Sequence, residues 1–108
     1  MGRGGYQNLL VYQLAIPIFD LTHHFCRQYF ADLRHKRTVE QMEQAVRSGK
    51  QNIVEASKEK SQMSNIKLTG VARASFEELL EDYRDFLRLS RLTLWDKTDP
   101  RLEEIRRW

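Results

Sequence analysis

The segment from about Asn8 to Phe30 most restricts what this chain can become. Leu10, Leu14, Ile18, Leu21, Phe25 and Tyr29 recur at three- and four-residue steps, which sets them on one face of a helix. Val11, Phe19, Thr22, Cys26 and Phe30 widen that stripe until more than half the circumference is apolar. Such a helix needs two neighbours or a subunit interface to keep its surface from water. Pro17 removes one backbone hydrogen bond and predicts a kink near Gln13–Ala15.

Three more segments carry the helical period. The second, 38–58, opens on Thr38-Val39-Glu40-Gln41, the arrangement of a capping box. Its inward line reads Met42, Ala45 and Val46, Gly49, Ile53 and Ala56. Gly49 costs about 1 kcal/mol relative to alanine inside a helix, so a close approach of another helix is expected there. The third segment, 64–89, carries Leu68 or Thr69, Ala72, Phe76, Leu79, Leu80, Tyr83, Phe86 and Leu87. After a break at Arg91–Thr98, Asp99-Pro100 restarts a short helix over 99–108, with aspartate as cap and proline in the first turn. Leu102, Ile105 and Trp108 give it an apolar edge.

These elements predict an all-α protein: one domain, residues 1–108, an up-down four-helix bundle whose fourth helix is truncated. A stub cannot cover the groove that three long amphipathic helices leave open. The expectation is therefore that further chain or another subunit fills it, and that the protein self-associates.

Composition narrows the function classes. With 41% hydrophobic and 31% charged residues, 5 Gly and 2 Pro, the chain is neither disordered nor turn-rich all-β. Cys26 is the single cysteine, which excludes a disulfide-stapled scaffold. The longest apolar run, Leu14 to Phe19, is far short of the ~20 residues that span a bilayer, and no signal peptide is evident. A cytoplasmic protein without a membrane role is expected.

Chemistry is sparse. No Glu-x-x-His pair, His-Glu-x-x-His, Cys-x-x-Cys or Gly-rich phosphate loop occurs, so no metal, cofactor or enzymatic activity is expected. The acidic run Glu77, Glu78, Glu81, Asp82, Asp85 fits an ion-pair face better than a metal site, because Arg84 and Arg88 stand three residues after Glu81 and Asp85. Cys26 lacks a partner base and reads as a small buried residue.

The charge is +3, and the excess lies in residues 1–60, with nine basic against six acidic groups. Exposed Arg47, Lys50 and Lys58 on helix two, with Arg34, Lys36 and Arg37 before it, form the candidate phosphate-contacting surface. The Arg34–Arg37 cluster also suits a bland reading as cations answering the negative end of helix one.

Ser48-Gly49-Lys50-Gln51-Asn52-Ile53-Val54-Glu55-Ala56 resembles the Ser-x-x-x-Asn-Ile-x-Glu-Gly core of a family of small four-helix-bundle proteins. That family includes the 23S rRNA intervening-sequence proteins. Ala72, Ser75, Glu78 and Leu79 match its Ala-x-x-Ser-x-x-Glu-Leu pattern, and Val11-Tyr12-Gln13-Leu14-Ala15 looks like its aromatic-Gln-x-Ala opening. Many members have proline where Gly49-Lys50 stands and glycine where Ala56 stands, so the bend in helix two is expected to differ. The string from Arg37-Thr38-Val39-Glu40-Gln41 to Leu94-Trp95-Asp96-Lys97 is similar to a subgroup with an extra C-terminal segment.

The resemblance implies a homopentameric ring without enzymatic activity. A related member, the accessory variability determinant of diversity-generating retroelements, binds a reverse transcriptase and its template RNA through a basic ring surface. By that analogy of fold, the expected function is a ring-forming scaffold that binds structured nucleic acid, RNA first and DNA second, with a reverse transcriptase or ribosomal partner. The alternative is an oligomeric protein–protein interaction module that binds no nucleic acid.

Overall fold

The computed structural model describes the backbone of residues 3–107 and the side chains from Leu10 onward. Met1, Gly2 and the apolar edge expected at Trp108 lie outside the described residues. Among the described residues there are four α-helices: α1 over Arg3–Tyr29, α2 over Lys36–Lys58, α3 over Gln62–Leu89 and α4 over Arg101–Arg106, with a 3-10 turn at Leu33–His35. Among the described residues there is no strand, and no helix is long and apolar enough to cross a membrane.

Helix α2 is the centre of the packing. Its inner face buries Met42, Ala45, Val46, Gly49, Ile53 and Ala56, the line read from the sequence. Both α1 and α3 lie against it, whereas among the described residues no Cα atom of α1 comes within 8 Å of one in α3. They meet instead through side chains, in the clusters that hold Cys26 with Leu79 and Ala15 with Ala72. Thr22 and Tyr83 share a 2.8 Å hydrogen bond, and Phe25 lies edge-on to Tyr83 and Phe86 at 4.8 and 4.9 Å between ring centres.

Helix α1 turns a different face inward from the one its large residues predict. Ala15, Thr22 and Cys26 are buried, with Phe19 beside them, while Leu10, Leu14, Ile18, Leu21 and Tyr29 stay open to water. Small side chains let α1 seat closely on α2, and dense packing rewards that approach more than a loose contact of leucines does. The large residues are left on the adjoining flank. Helix α1 runs unbroken through Pro17, which is exposed.

On α3, Ala72, Ser75 and Leu79 are buried and Leu68, Phe76, Tyr83, Phe86 and Leu87 half-buried, but Thr69 and Leu80 are exposed. Ser75 enters the core because it has partners there: its hydroxyl donates to the Val71 carbonyl at 3.1 Å and shares a 2.9 Å hydrogen bond with the Ser48 hydroxyl. Asn52 donates to the Ser48 carbonyl at 2.8 Å. The motif residues Ser48, Asn52 and Ser75 thus form a polar seam joining α2 to α3.

The approach expected at Gly49 is made by a ring rather than a backbone. A Cβ added there would lie 2.7 Å from Phe76 Cζ. Phe76 packs against both clusters of the core, Met42–Val46–Leu79 on one side and Ala15–Ile53–Ala72 on the other.

The helix ends correct several boundaries. The capping box at Thr38 does not form, because the 3-10 turn runs straight into α2 and the Lys36 N–H bonds the Leu33 carbonyl. Helix α2 therefore starts at Lys36 without a side-chain cap. Helix α3 starts at Gln62, where Ser61 Oγ accepts from the Ser64 N–H at 3.4 Å. At α4, Asp99 accepts from the Arg101 N–H at 2.9 Å, a capping bond, and Pro100 precedes the first helical residue.

The fourth helix does not complete a bundle: among the described residues no Cα atom of α4 comes within 8 Å of another helix. The radius of gyration, 15.6 Å, exceeds the roughly 13 Å of a compact domain of this length, as a three-helix layer with a separate arm requires.

Candidate functional site

The six cations expected to contact phosphate do not form one patch. Lys36, Arg47 and Lys58 stand eleven residues apart, three helical turns, so they share one outer edge of α2 at intervals of about 16 Å. None of the three makes an ion pair among the described residues. Lys50 joins Arg47 at a shallow depression bordered by Phe19, Gln51 and Glu55, with its ammonium 4.5 Å from the centre of the Phe19 ring. That contact holds the lysine stem against an apolar surface.

Arg34 and Arg37 sit elsewhere. Arg34 pairs with Asp32 at 3.2 Å, and His35 Nδ1 lies 2.5 Å from the other oxygen of the same carboxylate. These two contacts hold the Asp32 carboxyl below its ordinary range, the His35 hydrogen bond most of all. Arg37 borders an open trench between α2 and α3 whose other charged walls are Glu40, Glu78, Glu81 and Asp82. The cluster 34–37 lies in the 3-10 turn and the first turn of α2, beyond the last turn of α1.

The trench repels anions. Burial and the neighbouring carboxylates of Asp85, Glu78 and Glu81 raise the Asp82 pKa. Between the ordinary aspartate pKa and this raised one, the native state binds more protons than the unfolded chain. Stability therefore falls as pH rises through that window, and the full cost is present at pH 7. Asp82→Asn is expected to stabilise the protein at pH 7 by about 0.5 kcal/mol, a small figure because water screens this half-exposed group. The advantage should vanish in thermal melts below the ordinary aspartate range; an equal gain at both pH values would refute the assignment.

The ion pairs read from the sequence on α3 are present: Arg84 with Glu81 at 3.0 Å and Arg88 with Asp85 at 3.1 Å. Both are exposed and contribute little to stability. Cys26 is 2% exposed, and burial, with Glu43 and Asp82 adding, pushes its thiol up to about 11. A thiol so placed stays protonated at neutral pH and is a poor nucleophile. Among the described residues no group of three or more His, Cys, Asp or Glu could hold a metal ion.

The feature underweighted by the sequence is the outer flank of α1. Leu14 is 64% exposed and Leu21 46%, with Leu10, Val11 and Ile18 open beside them in one continuous line. The same residues were visible as an apolar stripe; what was not visible is that α2 takes the neighbouring face instead. No family model matches the chain, and neither a curated protein nor a solved structure does.

Proposed function

We propose that this chain is a non-enzymatic helical scaffold that self-associates through the outer flank of α1. The observation that carries the reading is the unbroken line Leu10, Val11, Leu14, Ile18, Leu21, open to water on a helix that buries Ala15, Thr22 and Cys26 on its neighbouring face. A monomer rarely leaves a contiguous patch of that kind exposed. The motif resemblance through Ser48, Asn52 and Ser75 supports a ring, and five copies is the count it implies. A native mass spectrum of the full chain, without nuclease treatment, is expected to show a multiple of 12.9 kDa. A clean monomer at micromolar concentration would end this reading.

Nucleic-acid binding is the second reading, favoured by the unpaired edge of Lys36, Arg47 and Lys58. One copy presents these cations too sparsely to grip a strand, but a ring repeats the edge in every subunit. Contacts to structured RNA would then go to phosphates and weaken by about 0.7–0.9 in log K per contact for each tenfold rise in salt. Charge reversal at Arg47 and Lys50 is expected to weaken RNA binding more than tenfold at 0.1 M salt and to flatten the salt slope. Unchanged affinity would leave the protein–protein scaffold standing alone. A reverse transcriptase or ribosomal partner enters only through the resemblance, as an analogy of fold.

A further inference from the structure

The three long helices meet at one end around a cavity of about 480 Å³. Helix α1 brings Tyr29 and Phe30 to it, the 3-10 turn brings His35, and the last turns of α3 bring Asp82, Asp85 and Phe86. On α3 those three follow at helical steps, so one face carries two carboxylates beside a ring. The volume suits a small molecule or a single side chain of a partner.

The rings hold one another in place. Phe30 stands edge-on to Phe86 at 5.6 Å between centres, and Phe25 braces Phe86 at 4.9 Å, also edge-on. Tyr29 lies tilted to Phe86 at 5.3 Å and His35 tilted to Phe30 at 4.7 Å. Asp32 holds His35 in turn through Nδ1. Edge-on and tilted pairs leave more ring face uncovered than flat stacking does.

The carboxylates of this cavity have cation-binding capacity to spare. Arg88 engages Asp85 through Oδ1 alone, at 3.1 Å. Asp82 makes no ion pair among the described residues, although Arg37 borders the adjoining trench. Asp85, Glu78 and Glu81 press a proton onto Asp82, an imbalance that a bound cation relieves. A metal ion does not fit, since no group of His, Cys, Asp or Glu among the described residues could hold one. A quaternary ammonium would bring the carboxylate oxygens no donor. A guanidinium meets both demands: its plane lies on a ring while its N–H fork reaches the carboxylates, and it sheds water more readily than an ammonium does. The chain uses the same pairing within itself, where the Arg101 guanidinium lies 4.1 Å from the centre of the Trp95 ring and donates to Asp99.

We propose that this cavity binds the guanidinium of an arginine side chain presented by a partner protein, with Tyr29, Phe30 and Phe86 as its aromatic walls and Asp82 and Asp85 as its acceptors. The proposal depends neither on self-association nor on phosphate contacts along α2.

The full chain is titrated with N-acetyl-arginine amide, followed by saturation-transfer difference NMR, and with N-acetyl-citrulline amide, a neutral analogue of nearly the same shape. The arginine compound is expected to bind about tenfold more tightly. Asp82→Asn and Tyr29→Ala should each weaken it about fivefold, and since neither side chain is buried, far-UV spectra and thermal melts should remain those of the folded protein. Glu77→Gln removes an exposed carboxylate of the same helix outside the cavity and should leave the affinity unchanged. Equal affinity for the citrulline compound, or tetramethylammonium binding as tightly, would overturn the guanidinium. Absence of saturable binding, full affinity in either cavity variant, or an equal loss in Glu77→Gln would overturn the site.

Discussion

A chain carrying Leu14→Glu and Leu21→Glu is expected to run as a 12.9 kDa monomer at concentrations where the parent chain is fully assembled. Both leucines are exposed in the fold, at 64% and 46%, so the substitutions touch no core packing. Surface changes of this kind move folding stability by only about 0.5 kcal/mol. In an interface the same side chains would be dry. An unpaired carboxylate enclosed there costs several kcal/mol, and two together are expected to weaken association by at least 10³-fold. Light scattering after size exclusion, with a thermal melt as folding control, checks the prediction. A variant that stays folded and assembled would remove the flank of α1 from the interface.

Phe76→Ala is expected to destabilise the fold by about 3 kcal/mol, the low end of the range for phenylalanine because this ring is only half-buried. Against a total stability of roughly 5–15 kcal/mol that is a large loss. The reason is position: Phe76 joins both core clusters and covers Gly49. The same geometry predicts a change of sign at Gly49. Alone, Gly49→Ala drives a methyl to 2.7 Å from Phe76 Cζ, and the overpacking outweighs the roughly 1 kcal/mol gained in helix propensity. In the Phe76→Ala background the obstacle is gone and Gly49→Ala should stabilise. Denaturant melts of the four proteins form a cycle with an expected coupling of about 2 kcal/mol. Additive effects would mean that the ring does not rest on the glycine.

Much of the fold could be read from residue order because local periodicity carries it. The inner face of α2 repeats every three or four positions with no competing stripe, so Met42, Val46, Ile53 and Ala56 had one place to go. The pairs Glu81–Arg84 and Asp85–Arg88 are separated by less than a turn and form wherever that helix forms. Arg34 and Asp32 are likewise two residues apart.

Tertiary structure decided what periodicity leaves open. Helix α1 bears two apolar stripes, one of small residues and one of large, and a helical pattern cannot say which of them a neighbour will choose. Closeness of approach to α2 settled it in favour of Ala15, Thr22 and Cys26, and so placed Leu14 and Leu21 outside. Arg37 faces Glu78, Glu81 and Asp82 from a helix some forty residues away, a surrounding that no window of sequence contains. The burial of Ser75 depended in the same way on Ser48 across the α2–α3 seam. Short-range order follows from the chain's own spacing; the choice among faces follows from packing density, which exists only once the helices are together.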